Sequence, residues 1–205
     1  MTHIETNHPD EWDVRYASAE RVWSGDPNGA LVAEVSDLPP GRVLDVGCGE
    51  GADAVWLASR GWTVTAIDVS AVALGRAAQH ARDAGADVTW VCTGLVEADL
   101  PAGGFDLVSA QYPALLRSPG LDAERALVRA VALGGELLVV HHEVLTDEAH
   151  AHGFDPSMFV MPADVAALLD DDWRVLVDER RDRTVAGGAG AHHAHDLVLR
   201  ARRLR

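Results

Sequence analysis

Two rhythms of apolar residues alternate along the chain. Short runs dense in aliphatic and β-branched residues read as buried strands: Arg42–Val46 (RVLDV), Thr63–Ile67 (TVTAI), Val88–Cys92 (VTWVC), Phe105–Ala110 (FDLVSA) and Glu136–His141 (ELLVVH). Between them lie helix-like stretches, Ala52–Ser59, Ala71–Ala84 and Leu121–Leu133. In the last of these, positions 123, 126, 127, 130 and 131 repeat at the spacing of one helix face, and Gly134-Gly135 ends it. Gly61 and Gly85 stop the two earlier helices. Pro162 and Asp164 open a further helix with Val165, Leu168 and Leu169 on one face. Trp173–Val177 and Asp196–Ala201 read as two final strands, separated by the loop Arg180–His195.

Strands that alternate with helices pair in parallel and are covered on both faces. The last two strands have no helix between them and are expected to be antiparallel at that end. The pattern therefore predicts an α/β, Rossmann-like, seven-stranded mixed sheet in one domain spanning residues 1–205. Residues 10–36 read as two short helices over the carboxyl edge of the sheet, so that 1–38 forms a helical lid and 41–205 the core.

Composition narrows the function classes. The chain has 205 residues and a net charge of −15, which disfavours a nucleic-acid partner because phosphate binding needs a basic face. All 17 basic residues are arginines, which excludes a lysine Schiff base, a phosphate-loop lysine and a kinase-type lysine. Cys48 and Cys92 are too few for a disulfide framework, and the polar, acidic amino terminus is not expected to act as a secretory signal. The most apolar region, 126–140, is interrupted by Arg129, Gly134, Gly135 and Glu136, so no membrane span is expected. A reducing cytoplasm is the expected location.

The candidate chemistry begins at Asp45-Val46-Gly47-Cys48-Gly49-Glu50-Gly51. Glycines between a strand and a helix bend the chain sharply and let a ligand approach the backbone, while the helix amino terminus favours an anion. Asp68, at the end of the second strand, suits the two hydroxyls of a ribose. A nicotinamide or flavin dinucleotide stays possible, since Gly47-x-Gly49-x-x-Ala52 fits the looser dinucleotide fingerprint. Asp45 tips the balance: it would repel a pyrophosphate, whereas it would attract the α-ammonium of S-adenosylmethionine.

LDVGCGEG followed by VTAIDVS resembles the first two motifs of class I S-adenosylmethionine-dependent methyltransferases. FDLVSAQY and LGGELLVVHH resemble the family's fourth- and fifth-strand segments. WDVRY…VWSGDPN and HDLVLRARR resemble the flanks of the small bacterial branch near tellurite-resistance and thiopurine-type methyltransferases. The resemblance implies S-adenosylmethionine as cofactor and S-adenosylhomocysteine as product. Asp45, Gly47, Cys48 and Gly49 would surround the methionyl part, Asp68 would hold the ribose and Val69 would pack on the adenine. Ser109, Ala110 and Gln111 would lie beside the methionine and the transferable methyl. Thr93, Gly94 and Leu95 follow the third strand, where relatives often carry an acid for the adenine amine. Gly94 has no side chain for that bond, which leaves the adenine to backbone groups or Thr93.

Methyl transfer is an in-line displacement on an activated donor, so positioning is the main requirement. A thiolate or halide acceptor needs little more, while a hydroxyl or amine also needs a general base. His141 and His142 end the fifth strand at the edge where ligands bind, and Tyr112 faces the same edge; these are the catalytic candidates. Tyr16 and Trp23, in the lid, would set aromatic faces against a sulfonium or staple the lid to the sheet. His150, His152, His192, His193 and His195 are expected to form exposed loops and not a metal site, because no cysteine or acid completes a ligand spacing. Both thiols are expected to be inert, Cys92 because it ends a buried strand. The reading is methyl transfer to a small-molecule acceptor, with no nucleic-acid or membrane partner. A non-catalytic S-adenosylmethionine-binding protein and a nicotinamide-dependent oxidoreductase are the alternatives.

Overall fold

The computed structural model describes residues 8–143, 156–183 and 193–205. Two short helices lead, α1 (Pro9–Ala17) and α2 (Gly29–Val35). The alternating core follows: β1 (Arg42–Val46), α3 (Ala52–Ser59), β2 (Thr63–Asp68), α4 (Ala71–Ala84), β3 (Val88–Cys92) and β4 (Phe105–Gln111). Then come α5 (Asp122–Ala130), β5 (Val131–His142), α6 (Pro162–Ala166), β6 (Trp173–Asp182) and β7 (His195–Arg203). The strands form one sheet in the order β3-β2-β1-β4-β5-β7-β6. The first five pair in parallel and β7 runs antiparallel to both neighbours, the mixed topology expected.

Strand alternation sends successive side chains to opposite faces and so creates two cores. On one face Leu44, Val46, Ile67, Val108, Leu137, Val139 and Leu199 pack with Leu127 of α5 and Val165 of α6. On the other, Val43, Val64, Leu107, Leu138, Val140 and Val198 pack with Leu31 and Val35 of α2 and with Ala54 and Leu57 of α3. A partly exposed ion-pair network ties α2 to the far end of the sheet. Glu136 pairs with Arg200 and Arg202 at 2.5 Å each, and Glu34 of α2 pairs with Arg181 at 2.7 Å and Arg200 at 3.2 Å.

Four sequence expectations are corrected. The helix read over Leu121–Leu133 ends at Ala130. Val131 turns extended and pairs with Phe105, and a register shift separates that pair from Leu107↔Glu136. The helix opened by Pro162 ends at Ala166, leaving Leu168 and Leu169 in the following turn. The last two strands are longer than their apolar stretches, because β6 and β7 pair, across a register shift between Val175 and Val177, out to Asp182↔His195. Finally, no helix joins β3 to β4, so one face of the β2–β3 end is uncovered and a groove of about 470 Å³ runs past Thr63, Thr65 and Val91. β3 is an edge strand, and Cys92 is exposed instead of buried. Its thiol is nonetheless held above its ordinary pKa, first by desolvation and then by Asp13 and Asp68.

Candidate functional site

The carboxyl ends of β1, β2 and β4 meet the glycine turn, and each glycine in it has a different task. Gly47 and Cys48 both donate to the Ile67 carbonyl, at 2.9 and 3.1 Å, which folds the turn back over β2. A Cβ on Gly47 would meet nothing closer than Pro113 at 3.9 Å, an ordinary contact, so this glycine is not there to avoid a clash. A Cβ on Gly49 would lie 2.9 Å from the Tyr16 hydroxyl and 3.2 Å from Trp23 Nε1. One on Gly51 would lie 2.7 Å from Ala77 of α4 and 2.9 Å from Trp90 of β3, so Gly51 serves helix packing. Gly51 also adopts the left-handed conformation, φ +81°, and begins α3 without a side-chain cap, leaving the helix amino terminus to other partners.

Below the turn the inner face of the sheet changes from apolar to polar. Asp45, Asp68, Ser109 and Gln111 occupy the positions beyond Val43, Val64 and Leu107, and all four are buried. Gln111 Nε2 donates to Ser109 Oγ at 3.1 Å, and Ser109 stands beside Asp45 in the β1–β4 register. Asp45 Oδ2 and Gln111 Oε1 are buried acceptors with no hydrogen-bond partner among the described residues. Burial raises the Asp45 pKa well above its ordinary value, and the neighbouring carboxylates Asp53 and Asp68 push it further. A buried acceptor without a donor is costly, and this row fits a ligand that brings several N–H donors and a positive charge. The α-ammonium of S-adenosylmethionine is such a group.

Asp68 does more than the sequence suggested. Its Oδ2 accepts from Gly49 N–H and its Oδ1 from Ser70 N–H, both at 2.8 Å, so it folds the turn before meeting a ligand. Each oxygen keeps a further lone pair for a ribose hydroxyl. Ala110 points into the opposite core, so only Ser109 and Gln111 of that trio bring side chains to the polar row. Leu95 is likewise a core residue on the opposite face, and Thr93 bonds its own neighbour, the Gly94 carbonyl, at 3.2 Å. The space a Cβ on Gly94 would fill is taken by the carboxylate of Glu97, with Val69 Cγ1 3.7 Å from the same point. An acid therefore does stand at the position that Gly94 leaves bare, supplied from three residues onward. Glu97 was not singled out from the sequence because the turn that folds it back has no local signature.

The lid closes directly on the turn. Tyr16 is buried and its hydroxyl accepts from Trp23 Nε1 at 2.9 Å above Gly49, while Arg15 lies over the Trp23 ring. The staple reading of these aromatics is the one these contacts support. Glu50, inside the glycine turn, accepts from the backbone N–H groups of Val22 and Trp23 at 3.1 and 3.0 Å. Arg76 of α4 pairs with Glu50 at 2.8 Å and also donates to the carbonyls of Tyr16 and Ala19. Asp13 of α1 accepts from Ser70 Oγ and Val72 N–H, and Asp53 of α3 accepts from the backbone and side chain of Asn28. Glu50, Arg76, Asp13 and Asp53 were all missed as site residues, being ordinary charged residues whose partners are distant in sequence.

On the opposite side of the row, Pro113 stands over Gly47, and Tyr112 beside it adopts φ +51°, a strained conformation for an aromatic residue. Tyr112 stacks on His142 with ring centroids 4.1 Å apart, and His142 stacks on His193 at 4.0 Å. Arg183 covers the outer face of Tyr112. Asp196, at the start of β7, accepts from the Tyr112 hydroxyl at 2.9 Å and faces His142 Nδ1 and Arg183 Nε at 3.4 Å each. Burial raises the Tyr112 pKa and keeps the phenol protonated. His141 points to the other face of the sheet, where burial lowers its pKa to about 4. The two histidines are thus separated by strand alternation, and His142 is the one grouped with Tyr112. Among the described residues no three metal-ligating groups converge. His150, His152 and His192 lie outside them.

Comparison with known proteins agrees with this geometry. A methyltransferase domain family matches residues 43–135. An uncharacterized methyltransferase of Mycobacterium tuberculosis is 47% identical over 111 residues, covering 54% of this chain and 55% of that protein. The chain thus spans about half the length of the curated relatives it matches. Among solved structures, the N-methyltransferase NodS from Bradyrhizobium japonicum WM9 in complex with S-adenosyl-L-homocysteine superposes with a TM-score of 0.72 at 21% identity, covering 98% of this chain and 100% of that one. A structure described for the conversion of a disulfide bond into a thioacetal group during echinomycin biosynthesis gives a TM-score of 0.75 at 22% identity, with 95% and 92% covered. Residues 43–135 thus match a methyltransferase domain, and the chain shares the fold of these solved structures. That match favours S-adenosylmethionine over the dinucleotide that the glycine turn left open. No described helix is long and apolar enough to cross a membrane.

Proposed function

We propose that this protein transfers the methyl group of S-adenosylmethionine to a small-molecule acceptor by in-line displacement. The observation that carries the reading is the buried polar row beneath the glycine turn, with Asp45 Oδ2 and Gln111 Oε1 lacking donors among the described residues. In this reading Asp45 and Gln111 receive the α-ammonium, the α3 amino terminus receives the carboxylate, and Asp68 receives the ribose hydroxyls. Val69 packs against the adenine and Glu97 accepts from its exocyclic amine. Gly47 and Cys48 border the methionyl chain, and Tyr16, Trp23 and Gly49 close the lid above it. When bound, the cofactor supplies an already activated methyl on a sulfonium, so the protein's part is to hold the acceptor in line and exclude water.

A small acceptor is supported by two features. The net charge of −15 disfavours a polyanion such as RNA, and the lid, fastened at four points, limits the space above the turn. The solved neighbours also include an N-methyltransferase and a protein of echinomycin biosynthesis. Calorimetry with S-adenosylhomocysteine and with NAD tests the cofactor: binding of the first alone is expected, and binding of NAD alone would defeat the reading. Release of S-adenosylhomocysteine across a panel of phenols, amines, thiols and halides then tests the transfer.

A further inference from the structure

The stack at the carboxyl ends of β4 and β5 goes beyond cofactor binding. We propose that His142, held in place by Asp196, takes a proton from the methyl acceptor, so that the acceptor is a hydroxyl or an amine. Asp196 is then a positioning residue, and the inference rests on the methyltransferase reading given above.

Four observations carry it. The imidazole of His142 is fixed from both sides, sandwiched between Tyr112 at 4.1 Å and His193 at 4.0 Å, so its plane is set before any ligand arrives. Its Nδ1 is turned to Asp196 Oδ1 at 3.4 Å, which selects the tautomer with the proton on Nδ1 and assigns proton uptake to Nε2. The carboxylate is itself tied down by the Tyr112 hydroxyl at 2.9 Å and by Arg183 at 3.4 Å, and it is buried. The stack also sits beside the cofactor turn, because Tyr112 directly precedes Pro113, which stands 3.9 Å from the Cβ position of Gly47.

Among the described residues, the groups that face His142 include Asp196 from β7, Tyr112 from the end of β4, His141 from its own strand, and Arg183 and His193 beyond the ends of β6 and β7. Glu143, Arg180 and His195 pair with one another at the rim. One of these is a carboxylate aimed at the ring, and it is the group that stabilises an imidazolium once formed.

The step balances without a further reagent. The acceptor's lone pair forms the new bond to the methyl carbon, and the sulfonium–methyl bond breaks with its electron pair going to sulfur. The acceptor's proton passes to His142 Nε2 and later to water. A thiolate or a halide brings no such proton and would leave this arrangement idle.

The full-length protein with S-adenosylmethionine is offered catechol, phenethylamine, 2-mercaptoethanol and iodide between about pH 6 and about pH 9, and S-adenosylhomocysteine release is measured. Turnover of catechol or phenethylamine is expected, with kcat rising along an acid limb. Asp196→Asn should lower kcat by roughly 10²-fold at neutral pH and displace that limb, while acceptor KM and S-adenosylhomocysteine affinity stay near those of the unaltered protein. His142→Gln should remove the limb. Nitrogen-15 NMR of the unaltered protein needs no variant to fold: the neutral His142 ring should carry its proton on Nδ1 and titrate with the limb. A proton on Nε2, an unchanged kcat and limb in both variants, turnover confined to iodide or confined to 2-mercaptoethanol with kcat untouched by both variants, or none at all with cofactor binding intact would each overturn the inference alone. Loss of S-adenosylhomocysteine binding in the unaltered protein would instead overturn the cofactor reading beneath it.

Discussion

Replacing Glu50 with alanine should release the lid while leaving the sheet intact. The Glu50 carboxylate holds the segment through three contacts, from Val22 N–H at 3.1 Å, Trp23 N–H at 3.0 Å and the Arg76 guanidinium at 2.8 Å. Its side chain is 11% exposed and that of Arg76 28%, so these bonds are partly shielded from water. A hydrogen bond to a charged group contributes about 1.5–3 kcal/mol net, and the freed amides recover part of that by hydrating once the lid lifts. Taking about 3 kcal/mol for the set, opening of residues 20–25 becomes roughly 100-fold more frequent. Hydrogen exchange read by mass spectrometry should report this as roughly 100-fold faster exchange at Val22 and Trp23, with β1 and β4 amides unchanged. Arg76→Met should act on the same segment, since Arg76 also holds the Tyr16 and Ala19 carbonyls at 2.8 and 2.6 Å. Exchange at Val22 and Trp23 that is unaltered in Glu50→Ala would refute the idea that this carboxylate fastens the lid.

Three further outcomes follow from the site. Burial raises the Asp45 pKa, so the folded protein keeps a proton that the unfolded chain releases above the ordinary value of 3.8; stability without cofactor should therefore fall as pH rises from there toward the raised value. The cofactor's ammonium favours the ionised form, so the rise in Tm with S-adenosylhomocysteine should grow with pH over that window, and Asp45→Asn should flatten both trends. A Tm increment independent of pH would contradict the assignment. Gly49→Ala should lower Tm by forcing Tyr16 and Trp23 away, on top of about 1–2 kcal/mol for a side chain at φ +52°, whereas Gly47→Ala should carry only that strain and lose cofactor affinity. Equal effects of the two on lid exchange would count against the division of labour between them. Glu97→Ala should weaken S-adenosylhomocysteine about tenfold at unchanged Tm, because its exposed carboxylate lies over Gly94 and makes no described hydrogen bond; unchanged calorimetric affinity would remove it from the adenine site.

Periodicity and punctuation carried most of the fold. Strand-forming runs between glycine-stopped helices are local features, and the parallel order follows from their alternation, so the sheet and the glycine turn were legible without coordinates. The failures occurred where pairing or packing overrode local preference. The run from Leu121 to Leu133 has a helix face, yet Val131 leaves the helix to pair with Phe105. Val88–Cys92 looks like a buried strand and is an edge strand, because nothing in its own residues reveals that no helix will cover one side.

The sequence by itself narrowed the cofactor to two classes and favoured S-adenosylmethionine: Asp45, the three glycines and Asp68 lie on a strand, a turn and the next strand end, and local geometry brings them together. Only the tertiary structure decided how that site is closed and what stands opposite it. Glu50 with Arg76, Glu97 over Gly94, and Asp196 with His142 and Tyr112 are partners brought together by sheet order and lid closure. His141 and His142 are adjacent in the chain and indistinguishable there. The pleat turns one into a buried core and the other to a carboxylate on β7, and that single alternation separates a packing residue from a candidate base.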